Sequence, residues 1–209
     1  MSGEPAPPIM ISASGASVDW HHDTISWWTD QFQRSRAAYF PVFLEPRFGE
    51  LLRQVCSAAD FEEQFVEGVG KRMIEVSKRA SGMLSLALRD RPLLEWLSQV
   101  AGRGELRSAS GSIARLGAGG SHRLDWHDDR LESRRLAITI DLSTEAFEGG
   151  EFNMRAKGSE TICYRHTPAR FGSALIFHVD RQLEHRVSPV TAGGPRTTFS
   201  GWFLAQDLE

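Results

Sequence analysis

Short runs of β-branched and aromatic residues fill the second half of the chain, and they constrain its fold more than any other feature. The runs follow Gly104 and are bounded by glycine or proline; they cover residues 112–116, 136–142, 173–177 and 197–203. Several short strands separated by turn signals are typical of an antiparallel sandwich or barrel. The sequence therefore predicts a β core in the second half of the chain.

The first half shows helical periodicity instead. Start and stop signals predict a helix capped by Asp23 that ends before Pro41, one opened by Pro46, one over about 61–80, and one over about 84–100 that Pro92 divides. We therefore expect helices to dominate the part of the chain that precedes the β core.

The length of the chain favours one domain. Residues 1–20 are polar and lack the basic and apolar regions of a signal peptide, so we expect a flexible leader there. The remainder, 21–209, is long enough to bury one substantial core. The expected fold class is α+β: a helical support over about 21–103 packs against a β core over about 104–209.

Composition excludes several classes of partner. The formal net charge is −3, so neither nucleic acid nor an anionic membrane is favoured, and no apolar run approaches the length of a membrane span. Cys56 and Cys163 are too few for a disulfide framework, which favours reduced thiols in the cytoplasm. The sequence leaves the oligomeric state open.

Three His-x-Asp motifs raise the question of a metal site. They begin at His21, at His127 and at His178. The first lies at an expected helix start. The third has only His185 downstream as a further ligand, which we expect just across a tight turn and awkwardly placed. The middle motif, His127 with Asp129, is followed at a distance by His185, and residues two apart in a strand point the same way. Two imidazoles and one carboxylate are the protein ligands of a non-haem Fe(II) centre.

Arg196 follows His185 within the last extended segment. Its planar fork of donors suits a bidentate carboxylate, which suggests a carboxylate-bearing cosubstrate beside the metal. A surface salt bridge is the alternative for Arg196. For His127, Asp129, His185 and Arg196 together, the alternative is a non-catalytic jelly-roll protein with a metal or ligand site. Such a protein, however, does not need an arginine placed to bind a carboxylate.

The stretch from about Gly111 to Phe203 resembles the Fe(II)- and 2-oxoglutarate-dependent oxygenases, particularly their prolyl-hydroxylase-like branch. The pieces that carry the resemblance are Gly119 ahead of His127-Asp128-Asp129, Arg135 before the strand ending at Leu142, Gly149-Gly150-Glu151-Phe152, Ala174-Leu175-Ile176-Phe177, and His185 to Val190 with Arg196. The resemblance implies a double-stranded β-helix, which is a distorted jelly roll, with iron at its open end.

The same resemblance implies the roles of the site residues. His127, Asp129 and His185 would bind Fe(II), Arg196 would bind the distal carboxylate of 2-oxoglutarate, and Thr198, on the same strand face, would support that carboxylate. The cosubstrates would be 2-oxoglutarate and O2, with ascorbate as a possible addition. The reaction would couple decarboxylation of 2-oxoglutarate to hydroxylation of an unactivated C–H.

The branch implies a substrate and also reveals two departures. It implies an amino-acid side chain in a peptide or protein, with a free small metabolite as the alternative.

The family often has a tyrosine about ten residues before the first histidine, where this chain has Leu116. Asp141 stands where a second tyrosine is usual. The sequence therefore leaves the hydroxyl donor of the cosubstrate pocket unidentified.

Overall fold

The computed structural model describes residues 7–168 and 170–206. The helices within them all lie in the first half of the chain: α1 (His22–Ser35), α2 (Pro46–Ser57), α3 (Arg79–Ala87) and α4 (Arg91–Ala101). Proline opens α2 and lies in the first turn of α4, where its fixed φ fits a helix and its missing N–H costs nothing. None of the described helices has the length and hydropathy needed to span a membrane.

Strands are more numerous than helices, and five of them precede the β core: β1 (Ile9–Ser12), β2 (Gly15–Val18), β3 (Ala37–Phe40), β4 (Phe61–Val66) and β5 (Gly70–Glu75). The second half adds β6 (Ser108–Leu116), β7 (Arg123–His127), β8 (Arg134–Asp141), β9 (Phe147–Gly149), β10 (Phe152–Ala156), β11 (Ile162–His166), β12 (Ala174–His178), β13 (Leu183–Val187), β14 (Val190–Gly193) and β15 (Arg196–Leu204). All four β-prone runs of the sequence are therefore strands or parts of strands.

The prediction of a helix over residues 61–80 is wrong. This segment is the β4–β5 hairpin, which pairs Phe61 with Glu75 and Val66 with Gly70. Gly68 and Gly70 take φ values of +70° and +140° at the turn, which few other residues tolerate. Strand β5 also pairs with β6 and β7, so sheet pairing with distant residues outweighs the local helical spacing.

The structure also differs from the expected leader and from the expected helix cap. Ile9 and Ile11 are fully buried in the β1–β2 hairpin, and only residues 1–6 of the predicted leader lie outside the described residues. Helix α1 starts at His22 without a cap from Asp23. The carboxylate of Asp19 accepts hydrogen bonds from the His21 N–H and the Thr24 hydroxyl instead, at 2.9 and 2.7 Å.

The main sheet curls into a nearly closed, barrel-like jelly roll. Its hydrogen-bonded strand order is β11-β10-β13-β7-β5-β6-β15-β8-β12-β3, and β4 extends it beside β5. The two edge strands meet, because the rings of Tyr39 on β3 and His166 on β11 lie 4.5 Å apart. Across the interior, Phe152 and Phe177 lie 4.8 Å apart. The expected α+β class with a jelly-roll core is confirmed.

Both faces of the central strands are buried. On β8, Leu136, Ile138 and Ile140 point into a core shared with the helices, whereas Ala137 points into the barrel interior. Strand β12 alternates in the same way, with Ile176 towards the helices and Phe177 inside. Strands covered on both sides read as continuous apolar runs, which is why these segments are so hydrophobic. The helices thus support one side of the barrel and leave the other open.

His178 lies at the end of β12 in the helix-facing core, where its ring stacks on Phe32 at 5.7 Å. Burial, followed by the charges of Arg103 and Arg36, lowers the pKa of His178 to about 4, although Asp180 opposes the shift. The imidazole is therefore neutral in the folded protein at physiological pH.

We expect His178→Phe to reduce the loss of stability in acid. Between pH 6.5 and about 4 the unfolded chain binds a proton at His178 that the folded chain does not, so the free energy of unfolding falls as pH decreases through this window. The variant should remove up to roughly 2 kcal/mol of the difference between pH 7 and pH 5, at 1.36 kcal/mol per pKa unit. Urea unfolding at both pH values measures this, with the exposed His22→Ala as control. Equal acid sensitivity in wild type and His178→Phe would reject the explanation.

Candidate metal centre

Three potential metal ligands converge at the open end of the barrel. His127 ends β7 and is the register partner of His185 on β13, and Asp129 follows two residues after His127. Nε2 of His127 and Nε2 of His185 lie 3.8 and 3.5 Å from the two carboxylate oxygens of Asp129. One donor atom from each residue lies within 4.8 Å of the others. This spacing suits three ligands on one face of a single ion.

Hydrogen bonding and burial prepare the imidazoles for a metal. Nδ1 of His127 donates to the backbone carbonyl of Asp125 at 2.6 Å, which fixes the ring with Nε2 facing the cluster. Burial, partly opposed by Asp129, lowers the pKa of His185 to about 4. His185 therefore presents a neutral nitrogen lone pair next to a carboxylate.

The residues that precede His127 and Asp129 point away from the cluster, as the alternation of side chains along a strand predicts. Trp126 lies under the guanidinium of Arg155, at 3.8 Å from its ring centre, and Asp128 pairs with Lys157 at 2.7 Å. The other His-x-Asp motifs have separate surroundings. His22 and Asp23 are exposed at the start of α1, and Asp180 pairs with Arg103 at 3.1 Å.

Arg196 begins β15 opposite Leu116 on β6 and lines the same pocket as the three ligands. Only 4 % of it is exposed, and its buried Nε has no hydrogen-bond partner in the described part of the chain. Burial lowers its pKa to about 10, so the guanidinium still carries its charge at neutral pH. A buried cation with an unsatisfied donor beside a pocket is costly for the folded protein, and an anionic ligand would relieve that cost.

Gly150 makes room for this arginine. A Cβ at Gly150 would lie 2.7 Å from Cδ of Arg196, and the backbone φ of Gly150 is +64°. The Gly149-Gly150 pair therefore forms a tight turn, as the sequence suggested, and also permits the close approach of the Arg196 side chain.

The missing tyrosine is not replaced by another tyrosine in the pocket. Leu116 is buried against the pocket, and Thr139, Thr198 and Ser200 line the same pocket with their hydroxyls. Thr198 Oγ1 lies 3.4 Å from Ser200 Oγ, and Ser200 is the register partner of Thr139. Three small hydroxyls are thus available in the pocket that Leu116 and Arg196 line.

Asp141 and His166 lie on the far side of Arg196, in a small adjoining pocket. Burial raises the pKa of Asp141, although the backbone N–H of Ser143 donates to its carboxylate at 2.9 Å. Burial and the Arg196 charge lower the pKa of His166 to about 4. The tyrosine-to-aspartate departure therefore places a carboxyl group behind the arginine rather than in contact with the metal ligands.

Two further arginines flank the ligand cluster. Arg72 on β5 lines the pocket, with Nε donating to Gln64 at 2.9 Å, and burial lowers its pKa while the Asp129 charge opposes the shift. Arg134 donates to the backbone carbonyl of Asp129 at 2.9 Å and lies over the Trp202 ring at 3.5 Å. Arg72 belongs to the segment expected to be helical, and Arg134 begins β8, so neither contact is predictable from local spacing.

We expect Arg134→Lys to weaken Fe(II) binding without unfolding the protein. A lysine keeps the charge but loses the planar contact with Trp202 and the fixed direction of its donor towards Asp129. Loss of a group that orients a metal ligand typically costs roughly 10–100-fold in affinity. Anaerobic Fe(II) titration measures the change, and Arg135→Lys is the matched control. Equal affinities in the two variants would show that Arg134 does not position Asp129.

Comparisons with known proteins agree with this geometry. Residues 111–204 match the model of the 2OG-Fe(II) oxygenase superfamily. A 2OG-Fe(II) oxygenase family oxidoreductase from Burkholderia pseudomallei has a similar structure, with a TM-score of 0.70, 16% identity, and coverage of 90% of this chain and 93% of that one. No curated protein sequence matches the chain significantly.

Two prolyl hydroxylases share the fold. A Pseudomonas putida prolyl-4-hydroxylase gives a TM-score of 0.64 at 18% identity, over 88% of this chain and 100% of that one. A Trichoplax adhaerens prolyl hydroxylase, in complex with a peptide fragment of the hypoxia inducible factor oxygen degradation domain, gives 0.67 at 15% identity over 87% and 89%. The fold is thus the double-stranded β-helix of jelly-roll oxygenases. Residues 111–204 are thus similar to the 2OG-Fe(II) oxygenase superfamily, and the chain shares its fold with these prolyl hydroxylases.

Proposed function

We propose that His127, Asp129 and His185 bind Fe(II), that Arg196 binds the distal carboxylate of 2-oxoglutarate, and that the enzyme hydroxylates an unactivated C–H. The substrate would be an amino-acid side chain in a peptide or protein. The buried guanidinium of Arg196, whose Nε has no hydrogen-bond partner among the described residues, lies beside the three-ligand cluster and carries this proposal. The proposal accounts for both features of the site, because the three-ligand cluster suits a metal ion and the buried arginine suits an anionic cosubstrate.

The residues fit the groups that the superfamily implies. Two imidazole nitrogens and one carboxylate suit Fe(II) and leave coordination positions for other ligands. Bound Fe(II) would supply the activation of O2 that is coupled to decarboxylation of 2-oxoglutarate to succinate. Arg196 provides an anion site beside the metal ligands, because its charge persists at neutral pH despite burial.

The chain's own residues hold and shield these groups. The His127–Asp125 hydrogen bond fixes one ring, and Arg134 holds the backbone of Asp129. Apolar walls, which include Leu116 and Phe152, keep bulk water from the pocket and strengthen the attraction of Arg196 for a carboxylate. Thr198 donates its hydroxyl to the same carboxylate in this proposal, with Thr139 on the neighbouring strand.

A peptide or protein substrate is supported by the shared fold of the peptide-bound prolyl hydroxylase from Trichoplax adhaerens. A free metabolite is the alternative within the same chemistry. We further propose that the helices, the β core and the β1–β2 hairpin act as a single domain, because Ile9 and Ile11 share a core with the rest. We also propose that the enzyme works in the cytoplasm, since Cys56 and Cys163 are both free thiols.

The proposed cofactors are tested by anaerobic spectroscopy. Addition of Fe(II) and then 2-oxoglutarate should produce a weak visible charge-transfer band, and admission of O2 should release succinate. Folded protein that binds stoichiometric iron but shows no band would reject 2-oxoglutarate as cosubstrate. Product masses with one added oxygen, screened over peptide and amino-acid pools, distinguish a peptide substrate from a free metabolite.

A further inference from the structure

A second, larger cleft opens beside the metal centre, with a volume of about 940 Å³. Three segments that are distant in sequence form it. They are the α4–β6 connection at residues 102–103, the loop after the metal ligands at 130–135, and the β12–β13 turn at 179–182. We call this surface the arginine cleft. Because distant segments build it, its composition is a property of the fold rather than of one polar loop.

The arginine cleft adjoins the proposed catalytic site. Its second segment begins one residue after Asp129, and its third leads into β13, which carries His185. Val179 and Asp180 line the cleft and also line a small pocket that contacts Asp129 and His185. A chain lying in the cleft would therefore pass directly beside the metal ligands.

The charge of the cleft opposes that of the whole protein. Five arginines line it against two carboxylates, although the chain has a net charge of −3. The arginines are Arg103, Arg130, Arg134, Arg135 and Arg181. Arg103 pairs with Asp180 at 3.1 Å, whereas Arg130 and Arg181 are exposed and make no ion pair with any described residue. At least two guanidinium groups are thus available to an incoming anion.

We propose that the arginine cleft binds an acidic segment of the peptide substrate, adjacent to the residue that enters the metal centre. This inference rests on the proposed function, and it assigns a substrate class to the same site. Guanidinium groups form paired hydrogen bonds with carboxylates, and exposed Leu131 offers the peptide an apolar contact.

A peptide fits the cleft better than a nucleic acid does. The described residues of the lining include no aromatic ring on which a base could stack. The arginines also come from three segments rather than forming the continuous basic stripe typical of nucleic-acid binding. Separate carboxylate side chains along an extended peptide match this distribution.

The test uses peptide binding to the full chain in EDTA, so that it does not depend on iron or 2-oxoglutarate. Fluorescence anisotropy would compare a labelled Glu-Gly repeat peptide with its Gln-Gly counterpart. We expect the acidic peptide alone to bind, with an affinity that falls as salt increases. The double variant Arg130→Gln/Arg181→Gln should bind it roughly tenfold more weakly, as expected for two exposed ion pairs. Arg47→Gln/Arg79→Gln removes the same charge from exposed positions on α2 and α3 and should bind like wild type.

Three outcomes would overturn the inference. They are equal binding of the two peptides, equal losses in the two double variants, and preferential binding of a single-stranded oligonucleotide that depends on Arg130 and Arg181. None of these outcomes bears on Fe(II) or 2-oxoglutarate binding, which the anaerobic spectra test separately. Failure of the cleft and failure of the proposed function are therefore distinguishable.

Discussion

Asp129→Ala is expected to abolish stoichiometric Fe(II) binding and turnover while leaving the fold intact. The carboxylate lies within 4 Å of both imidazoles, so its loss removes the anionic ligand and leaves two imidazole nitrogens. The effect should exceed the roughly hundredfold loss typical of residues that only orient a ligand. Fe(II) titration and succinate release measure it, and circular dichroism checks the fold. His127→Ala and His185→Ala should behave in the same way.

A matched control comes from the first His-x-Asp motif. Asp23→Ala removes one carboxylate from an exposed position beside His22, so iron binding should be unchanged. If His185→Ala stayed active with iron bound, the distal ligand would have been chosen wrongly. If Asp129→Ala still bound stoichiometric iron, another group in the cluster would have to act as the third metal ligand in place of the Asp129 carboxylate.

The candidate ligand set could be proposed from the sequence because each part of it is local. His127 and Asp129 are two residues apart, and His185 and Arg196 flank one extended segment. The order of these motifs along the chain identifies the topology, and the strand register then brings His185 opposite His127. The strands β8 and β12 were predictable for a similar reason, since each is a continuous apolar run within the sequence.

The residues that support the ligands could not be predicted, because their roles depend on pairing between distant strands. Arg72 reaches the pocket only because β5 pairs with β6 and β7, and local spacing in its segment favours a helix instead. Arg134 reads as part of a charged loop, and its contacts with Asp129 and Trp202 arise from the fold. The hairpin of Ile9 and Ile11 was missed likewise, since short alternating segments near a terminus resemble polar coil.

Arg196→Met is expected to separate cosubstrate binding from iron binding. Methionine is unbranched and flexible enough to fill much of the buried slot, but it offers no charge to a carboxylate. Truncating one partner of a buried charge pair typically costs about 2–5 kcal/mol, which corresponds to an increase of roughly thirtyfold or more in the 2-oxoglutarate Kd. Fe(II) binding should persist, because Arg196 is not among the three clustered ligands.

Thermal unfolding gives this prediction a readout that is independent of turnover. In the wild type, a carboxylate ligand compensates the buried guanidinium, so 2-oxoglutarate should raise the Tm; in Arg196→Met that increase should disappear. The ligand-free Tm should stay near that of wild type, because the gain from removing a buried donor with no partner among the described residues offsets the loss of the cation near Asp141. Arg196→Lys, which keeps the charge without the planar fork, should recover part of the ligand-induced increase. An unchanged 2-oxoglutarate Kd in Arg196→Met would show that the carboxylate binds elsewhere, and the hydroxyl cluster of Thr139, Thr198 and Ser200 would then lose its proposed role as well.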